Sequence, residues 1–159
     1  MSPTTHETAR AWLMKSEPDV FSFADLRKRR TEPWSGVRNY QARNFMRDAM
    51  RVGDTVIFYH SSCEEPGVQG LGRVASKAYP DPTQFDRKSD AFEPRATKDN
   101  PVWWLVDVAW AADFRRPVTL PMLREEPRLK SLLMLRPGNR LSITPVTDAE
   151  LAIIRRLGS

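Results

Sequence analysis

Apolar and polar positions change their period several times along the chain, and each change predicts an element. Ala11 to Met14 is a short apolar run stopped by Lys15-Ser16-Glu17-Pro18, which predicts a first strand ending at a proline-fixed turn. Ser22, with Asp25 three residues on, predicts a capping arrangement for a short helix over Phe23 to Arg29. The cations Arg27, Lys28, Arg29 and Arg30 then sit at the helix end that the dipole favours. Pro33-Trp34-Ser35-Gly36 has loop chemistry, and Asn39 is placed to cap a helix from Tyr40 to about Met50. Ala42, Phe45, Met46 and Ala49 form its apolar stripe, with Arg43 and Arg47 on another face.

Downstream the period shortens. Thr55 to Tyr59 reads as a strand of β-branched and aromatic residues, followed by a loop from His60 to Gly67 and a strand over Val68 to Ala78. Gly70 and Gly72 inside that strand predict a bulge or the close approach of another backbone. Tyr79 to Pro101 is punctuated by Pro80, Pro82, Pro94 and Pro101 and is expected to be a polar excursion outside the core, with one helical turn near Thr83. In Val102 to Phe114 the residues Val102, Trp104, Val106, Val108, Trp110, Ala112 and Phe114 alternate on one face, which suits a central strand. Thr119 caps a helix over Leu120 to Glu126, a second helical piece covers about Arg128 to Leu135, and Pro137-Gly138 turns into a strand from Arg140 to Thr144. Thr147 and Glu150 form a capping box for a last helix ending at Leu157. Short, mostly sequential strands with inserted helices predict an α+β domain built on a small, mostly antiparallel β-barrel flanked by short helices.

The 159 residues suffice for one domain, expected at residues 10–157 after a disordered tail at 1–9, and there is no internal repeat or linker. A composition of 40% hydrophobic and 28% charged residues excludes disorder or a coiled coil for the whole chain. No apolar run approaches the ~20 residues that span a bilayer, and Met1 to Arg10, being polar, is not expected to act as a signal peptide. With Cys63 as its one cysteine, a disulfide framework is absent, so a cytoplasmic location is the expectation. The net charge of +5 and the pI near 9.7 suit a polyanion partner, and equally suit plain solubility.

Most catalytic chemistry lacks its residues. His6, His60 and Cys63 cannot supply a zinc site, and no Gly-x-Ser-x-Gly elbow or Walker motif occurs. Cys63 and His60 are close enough in sequence for a dyad, although neighbours in a turn more commonly reflect loop coincidence. Gly70-x-Gly72-x-x-Ala75 has no βαβ unit around it and is rejected as a dinucleotide fingerprint. No catalytic residue, metal or cofactor is assigned.

Three segments do place aromatic, amide and hydroxyl groups at the ends of predicted elements: Lys15-Ser16-Glu17-Pro18, Trp34 to Asn44, and Phe58-Tyr59-His60-Ser61. A planar heterocycle needs an aromatic ring to stack on and polar groups to read its edge. With Leu135-Arg136-x-Gly138-Asn139-Arg140-Leu141-Ser142, these strings resemble the EVE domain over about Arg10 to Leu157. That resemblance implies the barrel shared with PUA and YTH domains, and a module that recognises a base in DNA or RNA, expected to be modified and flipped out of the stack. Carried onto this chain, it proposes Ser16, Asn39, Tyr40, Tyr59 and Ser61 for the base pocket with Trp34 as a stacking wall, and Lys15, Arg38, Arg43 and Arg140 as a phosphate-binding rim. Each also has a plainer role: Asn39 as a helix cap, Tyr40 and Tyr59 as core residues, Trp34 as barrel closure, Ser16 as a turn residue. The roles of His60 and Glu17 stay open, Glu17 either accepting from an exocyclic amine or capping the following helix. The alternatives in function are an enzyme acting on a small heterocycle or nucleotide in the same pocket, and a protein-interaction module.

Overall fold

In the computed structural model, residues 9–159 are described; the rest of the tail expected at 1–9 lies outside the described residues. The strands are β1 (Ala11–Ser16), β2 (Thr31–Pro33), β3 (Thr55–His60), β4 (Gly67–Val74), β5 (Tyr79–Pro80), β6 (Trp104–Leu105), β7 (Asp107–Thr119) and β8 (Ile143–Val146). The helices are α1 (Phe23–Arg29), α2 (Tyr40–Asn44), α3 (Leu120–Glu125) and α4 (Asp148–Gly158). Six strands form one curled sheet in the order β2-β7-β4-β3-β1-β8, a half-barrel, and β5 pairs with β6 beside it. β1 runs parallel to β3, and the other pairings are antiparallel. A parallel neighbour requires a crossover connection, and residues 17–54 supply it, carrying α1, β2 and α2 across one face of the sheet.

Alternation along the central strands divides the core in two. Trp12, Met14, Val56 and Phe58 face the crossover side, where Phe23, Leu26, Trp34, Phe45 and Met46 cover them. Ala11, Leu13, Ile57 and Tyr59 face the other side, against Leu123, Leu129, Leu132 and Ile154. Gly70 shows why β4 carries glycine: a Cβ there would lie 2.5 Å from the Phe23 ring and 2.6 Å from the Ala112 carbonyl oxygen. The strand slips its register on both sides of Gly70 and Leu71. Both capping boxes form, Ser22 with Asp25 on α1 and Thr147 with Glu150 on α4.

Four local expectations need correction. The helix after Asn39 changes at Phe45 into a π-helical turn ending at Ala49, with Phe45 and Met46 buried. The segment 128–135 is two 3₁₀ turns, Pro127–Leu129 and Leu133–Leu135, and the following strand begins at Ile143. The long strand expected from Val102 is broken between β6 and β7, and it is Trp103 that is buried while Trp104 is only half-buried. The excursion 79–101 is not simply outside the core, for Asp81 and Gln84 are 1% and 0% exposed. Each is fully used: the Gln84 amide donates to the Asp81 and Trp103 carbonyls and accepts from the Val102 and Trp103 N–H groups. No helix among the described residues is long and apolar enough to cross a membrane, and no cluster of His, Cys, Asp or Glu among them could hold a metal ion.

Candidate nucleic-acid interface

The C-terminal ends of the parallel pair β1 and β3 carry the candidate site. Here Ser16 stands opposite His60, and Lys15 opposite Tyr59. On the crossover side a cavity of about 520 Å³ opens between Lys15, Ser16, Glu17, Val20 and Phe21 on one flank and Pro33 to Arg38 on the other. Its aromatic wall is Trp34, 8% exposed, which packs edge-on against Phe58 at 5.5 Å and Phe21 at 6.4 Å between ring centres. Such T-shaped packing fixes the indole plane, so the wall is rigid before any ligand arrives.

The Ser16 hydroxyl donates to the Phe21 carbonyl at 2.6 Å, tying the strand end to the turn that follows. The Glu17 carbonyl accepts from the Val20 and Phe21 N–H groups. Because Ser22 and Asp25 cap α1, the capping alternative for Glu17 is removed. Its exposed carboxylate has no hydrogen-bond or ion-pair partner among the described residues and stands at the cavity mouth beside Val20, which is 77% exposed. His60 is also accounted for: its Nε2 accepts from the Phe23 N–H at 3.0 Å, and burial lowers its pKa, so the neutral ring is favoured. A nitrogen held this way has no free lone pair for acid–base work.

The wall opposite β1 is held by Asp81. It accepts from the Gly36 N–H, from the Thr83 hydroxyl and N–H, and from Arg38. Burial acts to raise the Asp81 carboxyl, and these hydrogen bonds outweigh it, holding the pKa below the usual value. Arg38, expected on the phosphate rim, spends its five N–H groups on Asp81, Thr83, Val37 and the Ala91 carbonyl. It lines the cavity as a pin.

The six pocket candidates do not share one cavity. Ser16 and Trp34 line the first, with Lys15 and Arg38. Tyr59 and Ser61 line a second cavity of about 640 Å³ on the opposite side of the sheet, together with Lys15. The physical reason is strand parity: Tyr59 follows Phe58 and must point the other way. Asn39 caps α2, accepting from the Ala42 N–H, and lines a shallower depression with Arg140. Tyr40, 49% exposed, stacks on Trp103 at 4.9 Å with the Arg43 guanidinium 4.8 Å from its ring centre. Arg43 donates to the Val102 carbonyl and to Asn44, so these two residues dock α2 against the excursion. Phe21, Glu17 and Val20, missed as pocket residues or left without a role, complete the first cavity; an exposed valine after a proline-fixed turn was the available signal.

Comparison with known proteins decides the family. The EVE domain model matches residues 10–157. The chain belongs to the EVE-domain family. This EVE domain is 39% identical to human thymocyte nuclear protein 1 over 165 residues, covering 92% of this chain and 72% of the relative. It also superposes on a crystal structure from Pseudomonas putida with a TM-score of 0.90 at 46% identity, covering 94% of this chain and 99% of the other. Human THYN1 protein in complex with 5-methylcytosine-containing DNA matches with a TM-score of 0.87 at 39% identity, covering 94% and 97% of the two chains.

Proposed function

We propose that this EVE domain binds DNA and holds one modified cytosine, taken out of the stack, in the cavity between the end of β1 and Trp34. The observation that carries the reading is an edge-packed indole wall and an unpaired carboxylate lining one cavity with room for a nucleobase. The related human complex with 5-methylcytosine DNA supports the choice of ligand class.

The roles follow from the chemistry of the base. Trp34 offers the stacking face, worth about 1 to 3 kcal/mol per base against an extraction cost of a few kcal/mol. The Glu17 carboxylate accepts from the exocyclic N4 amine, as acidic side chains do for cytosine. Val20 and Val37 give apolar contact to a C5 methyl group. Lys15, whose pKa burial lowers, stands beside the mouth. The module binds without covalent change.

The test is fluorescence anisotropy with duplexes carrying one 5-methylcytosine or one cytosine, at stated salt, with RNA of the same sequence as a further arm. Tighter binding to the methylated duplex, weakened in Trp34→Phe, which keeps a smaller stacking face, is the expected result. Equal affinity for both duplexes overturns the reading.

A further inference from the structure

The second cavity differs chemically from the first. It is formed by Lys15, Tyr59, Ser61 and Ser62 at the strand ends, Arg124 on α3, and the segment from Met134 to Asn139 that carries Arg136. No carboxylate lines it, whereas Glu17 and Glu32 line the first. Lys15, Arg124 and Arg136 have no ion-pair or hydrogen-bond partner for their side-chain nitrogens among the described residues; the salt bridges lie elsewhere. Three cations on one concave surface with no counter-charge is an unbalanced arrangement.

A second, independent observation points the same way. Tyr59 is 3% exposed, yet its hydroxyl makes no hydrogen bond among the described residues, and neither do the hydroxyls of Ser61 and Ser62, which line the same cavity. Burial raises the Tyr59 pKa, so its hydroxyl keeps its proton and stays a donor. The Tyr59 ring is buried, but its hydroxyl oxygen stays open to the cavity, where it offers a donor that no described residue uses. Asn139, by contrast, spends its amide on the Leu133 carbonyl and the Leu141 N–H and only shapes the wall.

We propose that this second cavity binds phosphate, and that in the complex with DNA it grips the sugar–phosphate segment adjoining the extracted base. Hydroxyl donors and unpaired cations around one concavity match a group that presents several anionic oxygens and accepts from every direction. The choice of a strand phosphodiester over a free phosphate rests on the DNA-binding reading above, and on Lys15, which lines both cavities and so places the anion site next to the base site. Base recognition and backbone recognition then occupy opposite sides of the same two strand ends.

The experiment compares the parent protein with Arg124→Gln, Arg136→Gln and the double variant, all at exposed positions, so folding is expected to survive and is checked by the thermal midpoint. Affinity for the methylated and unmethylated duplexes is measured across a salt series. Each lost phosphate contact is expected to reduce the slope of log K against log salt by about one and to weaken both duplexes equally. Tyr59→Phe is expected to weaken both duplexes in the same ratio without changing the slope. Inorganic phosphate and a 5′-mononucleotide, titrated against the Tyr59, Ser61 and Ser62 amide signals by NMR, separate the possible sources. An unchanged slope in the folded double variant overturns the proposal, including the case where free phosphate still shifts those signals. A reduced slope without any methyl preference upholds the phosphate cavity and defeats the base reading instead.

Discussion

The two sides of the sheet at the ends of β1 and β3 are built from adjacent residues and do different chemistry. Ser16 and Phe58 belong to the crossover side, where aromatic rings meet edge to face around Trp34. Tyr59 belongs to the other, where hydroxyls and unpaired cations converge, and Lys15 lines the cavities on both. One residue of translation therefore separates a surface suited to a planar ring from one suited to an anion. A nucleotide combines both chemistries, and a strand end gives access to both faces of a sheet, which a strand middle does not.

The largest way to disturb the contrast is to remove its aromatic wall. Trp34→Ala empties a packed position between Phe21 and Phe58 and is expected to cost about 3 to 5 kcal/mol in urea unfolding, with loss of DNA selectivity. Retained stability would mean the wall stands apart from the core. Next comes Asp81→Ala, which strands the Arg38 guanidinium and the Gly36 N–H. It is expected to cost about 2 to 4 kcal/mol and to loosen the loop facing β1, read as a lower denaturation midpoint together with weaker binding of methylated DNA.

Glu17→Gln sharpens the comparison without touching the fold. Stability should stay within about 0.5 kcal/mol, while discrimination for cytosine falls by about 1 to 3 kcal/mol in paired anisotropy titrations. A change in salt slope rather than in base preference would move Glu17 out of the base site.

The smallest effect concerns pH and is assigned by sign. The lowered pKa of His60 means the unfolded chain binds its proton first, so its contribution to stability is complete above about pH 6.5 and declines below that. The lowered pKa of Asp81 gives a loss that starts only below about pH 4, as the carboxyl protonates. The thermal midpoint of the parent is thus expected to drop between pH 7 and 5 by a little more than that of His60→Gln, whose amide oxygen still accepts from the Phe23 N–H. Parallel curves for the two proteins would remove His60 from this role.

Much of this architecture is written locally. Ser22 with Asp25, Asn39, Thr119 and Thr147 with Glu150 start their helices where the sequence predicts, because a cap needs only residues three or four apart. The strings around Lys15 and Trp34 carry the family resemblance, and both contribute to the first cavity. Three features depend on residues distant in sequence and escaped that reading. Arg38 looks like a free cation until Asp81, Thr83 and Ala91 consume its donors. Asp81 and Gln84 look like loop residues until the excursion folds back and satisfies them internally. Tyr59 looks like a partner of Trp34 until pairing with β1 fixes which side of the sheet it faces.

The sequence by itself determined the elements, the family and the kinds of side chain at the strand ends, since period, capping and motif are properties of near neighbours. Tertiary structure alone decided which of those side chains share a cavity and which cations remain unpaired. Both depend on strand register and on partners forty or fifty positions away, and no local pattern encodes either.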